Sequence, residues 1–292
     1  MPRFDQPLSV AFEDPVRPLA DSEFEEIREL ARRTFGLDLR PGKQELVSAR
    51  LQRLVRGGGF RSYREYYRHV LSDRSGEALM ALIDALATNH TSFLREADHF
   101  DFLREKVLPN IARRSSIDIW SAACSTGEEV WTLLLILQET LPASRFLVIG
   151  SDISRKALRL AARGVYPANR IATLPRKWQE SGFQRESDDP PAYQVKPALR
   201  ERAQFRRLNL IEPISWPVRF PVIFCRNVMI YFDQNTQRKV IANLTANLEP
   251  GGYLFVGHSE SFSGVQHGLE YVRPAVYRKP QEKGGGAWSG TS

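Results

Sequence analysis

Between Asp21 and Ala87 apolar residues return every three or four positions, whereas after Ile117 they come in short unbroken runs. The chain therefore changes structural character part-way along. In the first stretch Phe24, Ile27, Leu30 and Ala31 share a face behind a Ser22/Glu25 capping-box spacing, with Gly36 as a stop. A second helix is expected from about Pro41 to Arg56, burying Val47, Leu51, Leu54 and Val55 and ended by three glycines. Ser62 with Glu65 opens a third, through Tyr63, Tyr66, Tyr67 and Val70, and a fourth covers about Glu77 to Leu86. These helices make a small bundle, and one more helix is expected over Asp98 to Pro109.

Further on, Ile117–Trp120, Phe146–Ile149, Val222–Cys225 and Tyr253–Val256 read as strands. Helical patterns separate them, over Val130 to Gln138, from Ser154 to Gly164, and near Gln237 to Leu248. Alternation of this kind predicts a mostly parallel, doubly wound sheet. Leu269–Val272 and Ala275–Arg278 add an antiparallel hairpin at its edge. Tyr166 to Leu208 breaks the alternation, being rich in Pro, Arg and polar residues with short extended pieces at Tyr193–Val195 and Gln204–Arg206. A structureless loop of that length is unusual in a compact domain, so a small antiparallel β insertion is expected over about 166–208.

The expected architecture is α/β: an N-terminal helical bundle (21–87) and a Rossmann-like domain (88–280), which begins with a polar linker (88–115). Residues 1–20 hold four prolines and no period and read as a flexible leader. Residues 281–292 are Gly/Ser-rich and read as a disordered tail.

Composition narrows the class. The 292 residues are 42% hydrophobic and 26% charged, which excludes a mostly disordered, collagen-like or coiled-coil chain. The longest apolar run, Leu133 to Leu137, is far short of the roughly 20 residues that span a bilayer. The N-terminus lacks the apolar core of a signal peptide. Two cysteines, Cys124 and Cys225, are too few for a disulfide framework or a cysteine-rich metal site. A cytoplasmic protein with no membrane insertion is expected. Net charge is +7, concentrated in two places. Arg40 to Val70 holds eight basic residues against two acidic ones, and Arg155 to Arg219 holds fourteen against six. A basic balance suits nucleic acid, a membrane surface or an acidic protein, and does not choose among them.

In a doubly wound sheet, ligands bind outside the carboxyl ends of the strands. The first such end, Ser121 to Glu129, has one glycine, Gly127, where a dinucleotide site has several. Two carboxylates, Glu128 and Glu129, stand at the following helix N-terminus. They would repel a pyrophosphate but not a ligand with an ammonium and ribose hydroxyls, such as S-adenosylmethionine; alternatively they only complement the helix dipole. Asp152 ends the second strand, where an acid accepts hydrogen bonds from a ribose diol or caps a helix. Asn209 and Leu210 follow the next strand; the amide could read an adenine edge or merely make a turn. Cys225-Arg226-Asn227 ends the fourth. His90 has no partner at metal-ligand spacing, and no metal site is expected. His258-Ser259 lacks the G-x-S-x-G elbow of a hydrolase.

Taken in order, T-N-H-T-S-F-L-R-E, D-I-W-S-A-A-C-S-T-G-E-E, S-D-I-S, N-L, I-F-C-R-N-V-M-I-Y-F-D and P-G-G-Y-L-F-V-G-H-S-E closely resemble the CheR family of chemotaxis receptor methyltransferases. The resemblance runs from about Asp21 to Lys279. It implies an enzyme that uses S-adenosyl-L-methionine to methylate glutamate side chains on the cytoplasmic helices of methyl-accepting receptors, releasing S-adenosyl-L-homocysteine. By motif, Asn89, Thr91 and Arg95 correspond to cofactor contacts from the linker. Glu129 and Asp152 would hold the cofactor's polar parts, Asn209 and Leu210 would lie beside the adenosyl group, and Arg226 and Asn227 would stand at the fourth strand end. Arg95 and Tyr231 match positions beside the transferred methyl. The resemblance also implies that Lys43, Arg50, Arg53 and Arg56 on the basic helix meet the receptor, and that the β insertion docks a receptor C-terminal peptide. A monomer is expected.

The chain departs from the family pattern at Val130, Trp131, Leu94 and Pro221, with Trp131 expected near the cofactor wall. Two rival readings are a nucleic-acid methyltransferase and a cofactor-binding signalling module without turnover. The first lacks its aromatic-proline loop after the fourth strand, where Arg226-Asn227-Val228-Met229 stands.

Overall fold

The computed structural model describes residues 17–141, 145–262 and 265–281. Most of the expected leader (1–16) and nearly all of the expected tail (282–292) lie outside the described residues. Of those described, the chain up to Glu29 with Arg40–Leu86 forms one compact unit, and Leu30–Leu39 with the chain from Ala87 forms a second.

In the first unit, helix α1 (Asp21–Phe35) begins before the expected cap. Ser22 lies inside the helix, where its hydroxyl accepts from Arg64 (3.0 Å). The N-terminus is closed instead by Glu23, whose carboxylate accepts the Ala20 N–H at 3.0 Å. Helix α2 (Gln44–Gly57) starts three residues later than expected, because Gly42 (φ +85°) completes a turn and Lys43 precedes the helix. Val47, Leu51 and Val55 are buried, with Leu54 only half-buried. Helix α3 (Tyr63–Ser72) is capped by Ser62, whose hydroxyl accepts the Glu65 N–H (3.2 Å); Glu65 in turn accepts from the Arg61 N–H (2.8 Å). Helix α4 (Glu77–Leu86) has the expected bounds and buries Leu82, Ile83 and Leu86.

α1 belongs partly to the second unit. Its carboxyl end and the segment after it bond there: the Thr34 carbonyl accepts from Asn209 (2.8 Å), and the Asp38 N–H donates to the Tyr231 carbonyl (2.8 Å). Gly36 is required at φ +80°, since a Cβ would lie 2.7 Å from Ile211 and 2.9 Å from Thr236. The long helix expected over Asp98 to Pro109 is observed in three pieces: α5 (Ala97–Phe102), a π-helical turn (Leu103–Val107) and α6 (Leu108–Ile111). Pro109 has no N–H to return to the Glu105 carbonyl, and the helix widens just before it.

The remaining elements follow in order. They are β1 (Ser116–Ala122), α7 (Glu128–Thr140), β2 (Arg145–Asp152), α8 (Arg155–Arg163), β3 (Val165–Pro167), α9 (Ala168–Ile171) and α10 (Arg176–Gly182). Then come β4 (Phe183–Asp188), β5 (Pro191–Val195), α11 (Pro197–Arg200), β6 (Ala203–Arg207), β7 (Phe220–Cys225), α12 (Gln234–Asn247), β8 (Leu248–Val256), β9 (Glu270–Arg273) and β10 (Val276–Arg278). The main sheet has the order β6-β2-β1-β7-β8-β10-β9. Its first five strands are parallel, and the β9–β10 hairpin closes the far edge antiparallel to β8. Strand order reverses between β1 and β7, which is the crevice where a doubly wound fold binds its ligand.

Both faces of the sheet are buried. Ile117, Ile119, Val222 and Phe224 face one core with α7, while Trp120, Ala122, Ile223 and Cys225 face the other with α12. The apolar run in α7 follows from this burial, since every residue from Glu128 to Leu137 is buried. Pro221 sits in β7 where the register with β8 shifts, a place where a missing N–H is tolerated. Among the described residues, no helix is long and apolar enough to cross a membrane.

The insertion is shorter than expected. A three-stranded antiparallel sheet, β3-β5-β4, spans Val165 to Val195. Residues 203–207, expected within it, form β6 and extend the main sheet parallel to β2. Phe205 fastens this edge strand: its ring packs edge-on against Trp131 (5.5 Å) and over Gly150, where a Cβ would be 2.9 Å away. The exposed Gln204, Arg206 and Arg207 conceal the strand's one inward ring, which explains why it reads as polar insertion.

Candidate active site

The carboxyl ends of β1, β2, β6 and β7 open onto one cavity in the second unit. Asn89, Thr91, Arg95, Glu129, Asp152, Asn209, Leu210, Arg226, Asn227 and Tyr231 all line it, so every residue expected at a cofactor or methyl position comes together there. Lys43, Arg50, Arg53 and Arg56 belong to the first unit, Lys43 just before α2 and the others on it.

After β1 the chain makes a compressed loop, with Ala123 (φ +68°), Ser125 (φ +50°) and Gly127 (φ +93°) in the left-handed region. The first two carry a conformational cost that non-glycine residues rarely meet outside such sites. Gly127 has no alternative: a Cβ there would lie 2.8 Å from the Ala161 Cβ and 3.1 Å from the Tyr166 hydroxyl. The single glycine therefore serves close packing. Asp152 ties this loop to the next one, accepting the Ser125 N–H (2.9 Å) and the Ser154 N–H (2.9 Å). It is not the cap of α8; Ser154 is, accepting from the Ala157 N–H at 3.0 Å.

The two glutamates at the start of α7 part company. Glu129 lines the cavity and accepts from Ser121 Oγ (2.6 Å) and Arg226 Nε (2.7 Å). Glu128 is wholly buried away from the lining, paired with Arg170 and accepting from Thr126 Oγ1 (2.6 Å). Only one of the two carboxylates expected at this helix end thus faces the cavity. Trp131, expected near the wall, is buried in the core against Phe205 and does not line the cavity.

Arg226 is the hub of the opposite wall. Besides Glu129 it donates from Nη1 to the Arg95 carbonyl (2.7 Å) and to Glu96 (3.3 Å), and it lies 3.2 Å from His99 Nδ1. Its guanidinium stacks over Phe100 (5.0 Å) and Phe224 (5.6 Å). His99 is fully buried; burial, reinforced by the Arg226 charge, pushes its pKa down to about 4. Because Arg226 can only donate, neutral His99 accepts at Nδ1 and carries its proton on Nε2. Glu96 is held below the ordinary carboxylate range by the Asn227 amide and Arg226, against the opposing effect of its burial. Ligand atoms of Glu96, His99 and His258 lie within 4.8 Å of one another, but the Arg226 guanidinium already lies against Glu96 and His99, a cation beside two of the three groups.

Asn209 is more occupied than the sequence suggests. Its amide donates to the Thr34 carbonyl (2.8 Å) and to Glu212 (2.8 Å), so both hydrogens clamp the wall and neither is left to read a base. Arg95 donates to the His90 carbonyl (2.8 Å), which folds the linker around its own turn.

Residues 22–87 match the family model of the CheR methyltransferase all-alpha domain, and residues 89–277 that of the CheR methyltransferase SAM binding domain. The chain belongs to the CheR methyltransferases. It is 36% identical over 272 residues to the chemotaxis protein methyltransferase of Borreliella burgdorferi, covering 89% of this chain and 95% of that one. It is 36% identical to chemotaxis protein methyltransferase 2 of Pseudomonas aeruginosa (87% and 92% covered) and 35% identical to that of Escherichia coli K12 (89% and 91%). As a CheR protein it is an S-adenosylmethionine-dependent methyltransferase.

The donor set fits that cofactor. The cavity offers the carboxylates of Glu129 and Asp152 and apolar walls from Leu208, Leu210, Val228 and Phe232, with acids rather than a glycine-rich phosphate loop at the helix N-terminus. Such a site takes a ligand carrying an ammonium, a diol and a flat apolar ring, and it disfavours a phosphate.

Several residues of the site were not singled out from sequence. Phe35 and Leu37 reach the cavity because the end of α1 belongs to the second unit. Glu96, His99 and Glu260 hold the wall from behind. Glu260 had a signal: it follows Gly257 by three residues at the end of β8, where backbone N–H groups seek an acceptor, but His258-Ser259 drew the chemical reading instead.

Proposed function

We propose that this CheR chain methylates glutamate side chains on the cytoplasmic helices of methyl-accepting chemotaxis receptors. The convergence of the ten motif residues on one cavity at the reversal of strand order carries this reading. S-adenosylmethionine supplies an electrophilic methyl on a positively charged sulfur, so that transfer to a carboxylate gives a methyl ester and S-adenosylhomocysteine with no proton moved. A substrate glutamate, with a reference pKa of about 4.3, is already ionised at neutral pH and needs no general base. The residues then have binding and alignment to do. Glu129 and Asp152 bind the polar parts of the cofactor, Leu210 lies against its ring, and Asn209 fixes that wall. Asn89 and Thr91 close over it from the linker. Arg226 and Asn227 hold the fourth strand end, and Arg95 and Tyr231 orient the incoming carboxylate by charge and by hydroxyl.

On the first unit, Arg53 and Arg56 are exposed along α2 with Leu46 (43% exposed), and Lys43 is exposed just before it. Arg50 is half-buried and donates to the Leu86 carbonyl (2.6 Å). Exposed cations around an apolar side chain suit an acidic receptor helix, and the β insertion is assigned to a receptor C-terminal peptide. The enzyme works in the cytoplasm as a monomer. Radiolabelled cofactor offered with receptor fragments should leave base-labile label on them, and none on nucleic acid. Arg95→Ala and Tyr231→Phe should each lower turnover by about tenfold or more in folded protein. Methylation at the wild-type rate in both variants would remove the catalytic assignment.

A further inference from the structure

Glu260 is 6% exposed, does not line the cavity, and accepts from four backbone N–H groups behind it. Its Oε2 accepts the N–H of Gly257 (2.6 Å) and of Asn227 (2.8 Å), and its Oε1 accepts the N–H of Met229 (2.6 Å) and of Ile230 (3.3 Å). Three of these donors belong to the turn after β7, whose other side presents Asn227, Val228 and Tyr231 to the cavity. Asn227 is left-handed there (φ +57°), so the N–H groups converge as in an anion-binding nest, and the chain fills the nest with its own side chain.

The carbonyls of the same turn are held by other groups. Gln237 Nε2 donates to Met229 O (2.9 Å) and Phe232 O (3.2 Å), and the Asp38 N–H donates to Tyr231 O (2.8 Å). The turn is thus anchored twice: Glu260 takes the N–H groups of Asn227, Met229 and Ile230, while that of Tyr231 closes within the turn on the Val228 carbonyl (3.1 Å). Gly257 leaves no slack, since a Cβ on it would lie 2.4 Å from Asn227 Nδ2.

We infer that Glu260 is a positioning residue for methyl transfer, setting the turn 227–231 and through it the place of Tyr231. The inference rests on the reading of Tyr231 given under Proposed function. Only the ionised carboxylate accepts at both oxygens; Glu260→Gln puts an N–H₂ opposite two backbone donors and releases one side of the turn.

A misplacement of about 1 Å in an aligning group costs on the order of a hundredfold in rate. Glu260→Gln should therefore lower kcat by about ten- to a hundredfold, while the Kd for S-adenosylhomocysteine moves by no more than about threefold. Glu260→Asp, which keeps the charge but is shorter by about 1.5 Å, should give a smaller loss. The double variant Glu260→Gln/Tyr231→Phe should lose little more than the larger single effect, because both act on one group.

Folded Glu260→Gln with wild-type kcat, beside a slowed Tyr231→Phe, overturns the role of Glu260 and leaves the catalytic reading standing. A slowed Glu260→Gln beside an unimpaired Tyr231→Phe overturns the route through Tyr231 together with that reading. Fully multiplicative losses in the double variant also overturn it. Should Glu260→Gln fail to fold, Glu260→Asp decides by the same criteria.

Discussion

The cavity wall built on Arg226 and the outer face of α2 are both rich in charge, and they use it in opposite ways. Around Arg226 the side chains are buried or half-buried, and Glu129, Glu96, His99 and the Arg95 carbonyl all meet one guanidinium. Along α2, Arg53 and Arg56 stand in water. A pair at 4 Å is worth about 1 kcal/mol in water and about 4 kcal/mol at the effective dielectric near a protein surface, and desolvation adds a penalty for any buried charge left alone. The first region therefore binds folding and chemistry together, whereas the second leaves its charge in solvent.

The sharpest way to break that contrast is Arg226→Met. It keeps volume but takes the counter-charge from Glu129, which retains the Ser121 hydroxyl, and removes one of the two side-chain donors to Glu96, the other being Asn227 at 3.0 Å. Unpairing a buried charge costs about 3–5 kcal/mol, so urea denaturation should show a loss of that size. Calorimetry should find no S-adenosylhomocysteine binding. A loss below about 1 kcal/mol would mean that the network is solvated like the surface and that the comparison is false.

Acidification tests the same wall more gently. His99 has a folded pKa of about 4 against an ordinary value of 6.5. Between those values the unfolded chain takes up a proton that the folded chain refuses, so stability is full above pH 6.5 and falls as pH drops toward 4. The limit is about 3 kcal/mol. Glu260, raised by burial, has the opposite sign: its folded form keeps a proton that the unfolded form has released, which favours folding on the acid side. The difference between wild type and His99→Gln isolates the histidine. Denaturation midpoints at pH 7 and pH 5 should converge in the variant, and equal slopes in the two proteins would show that His99 is not held neutral.

The two regions also differed in how legible they were. Helices α3 and α4 and the parallel strands follow from local periodicity and capping, because each was specified by residues within a few positions. The cavity's front surface was legible for a similar reason: strand ends carry their ligands in short motifs. What stood behind it was not. Glu96 acts on residues 130 and 131 positions away, His99 on one 127 away and Glu260 on three that lie 30–33 away, and no short window along the chain contains such a pair. β6 does not show in the local pattern because its single inward ring, Phe205, meets Trp131 and Gly150 from distant elements. The start of α1 was misplaced because Glu23, and not a side chain at the cap, closes it.

The smallest effect on folding should come from α2, and its size is the point. Arg53→Glu removes an exposed cation, so stability should stay within about 0.5 kcal/mol of wild type and S-adenosylhomocysteine affinity should not move. Arg50→Glu is the less clean variant, because it also deletes the 2.6 Å bond to the Leu86 carbonyl. With receptor fragments at low salt, Arg53→Glu should cut kcat/KM by about tenfold through slower association. The deficit should shrink as the Debye length falls from about 10 Å at 0.1 M to about 3 Å at 1 M, since both proteins then meet the receptor without steering. Equal kcat/KM for wild type and variant at low salt would make the α2 face an ordinary solvated surface. A salt-independent deficit would instead mean that Arg53 makes a desolvated contact with the receptor, the kind of charge that the Arg226 wall uses internally.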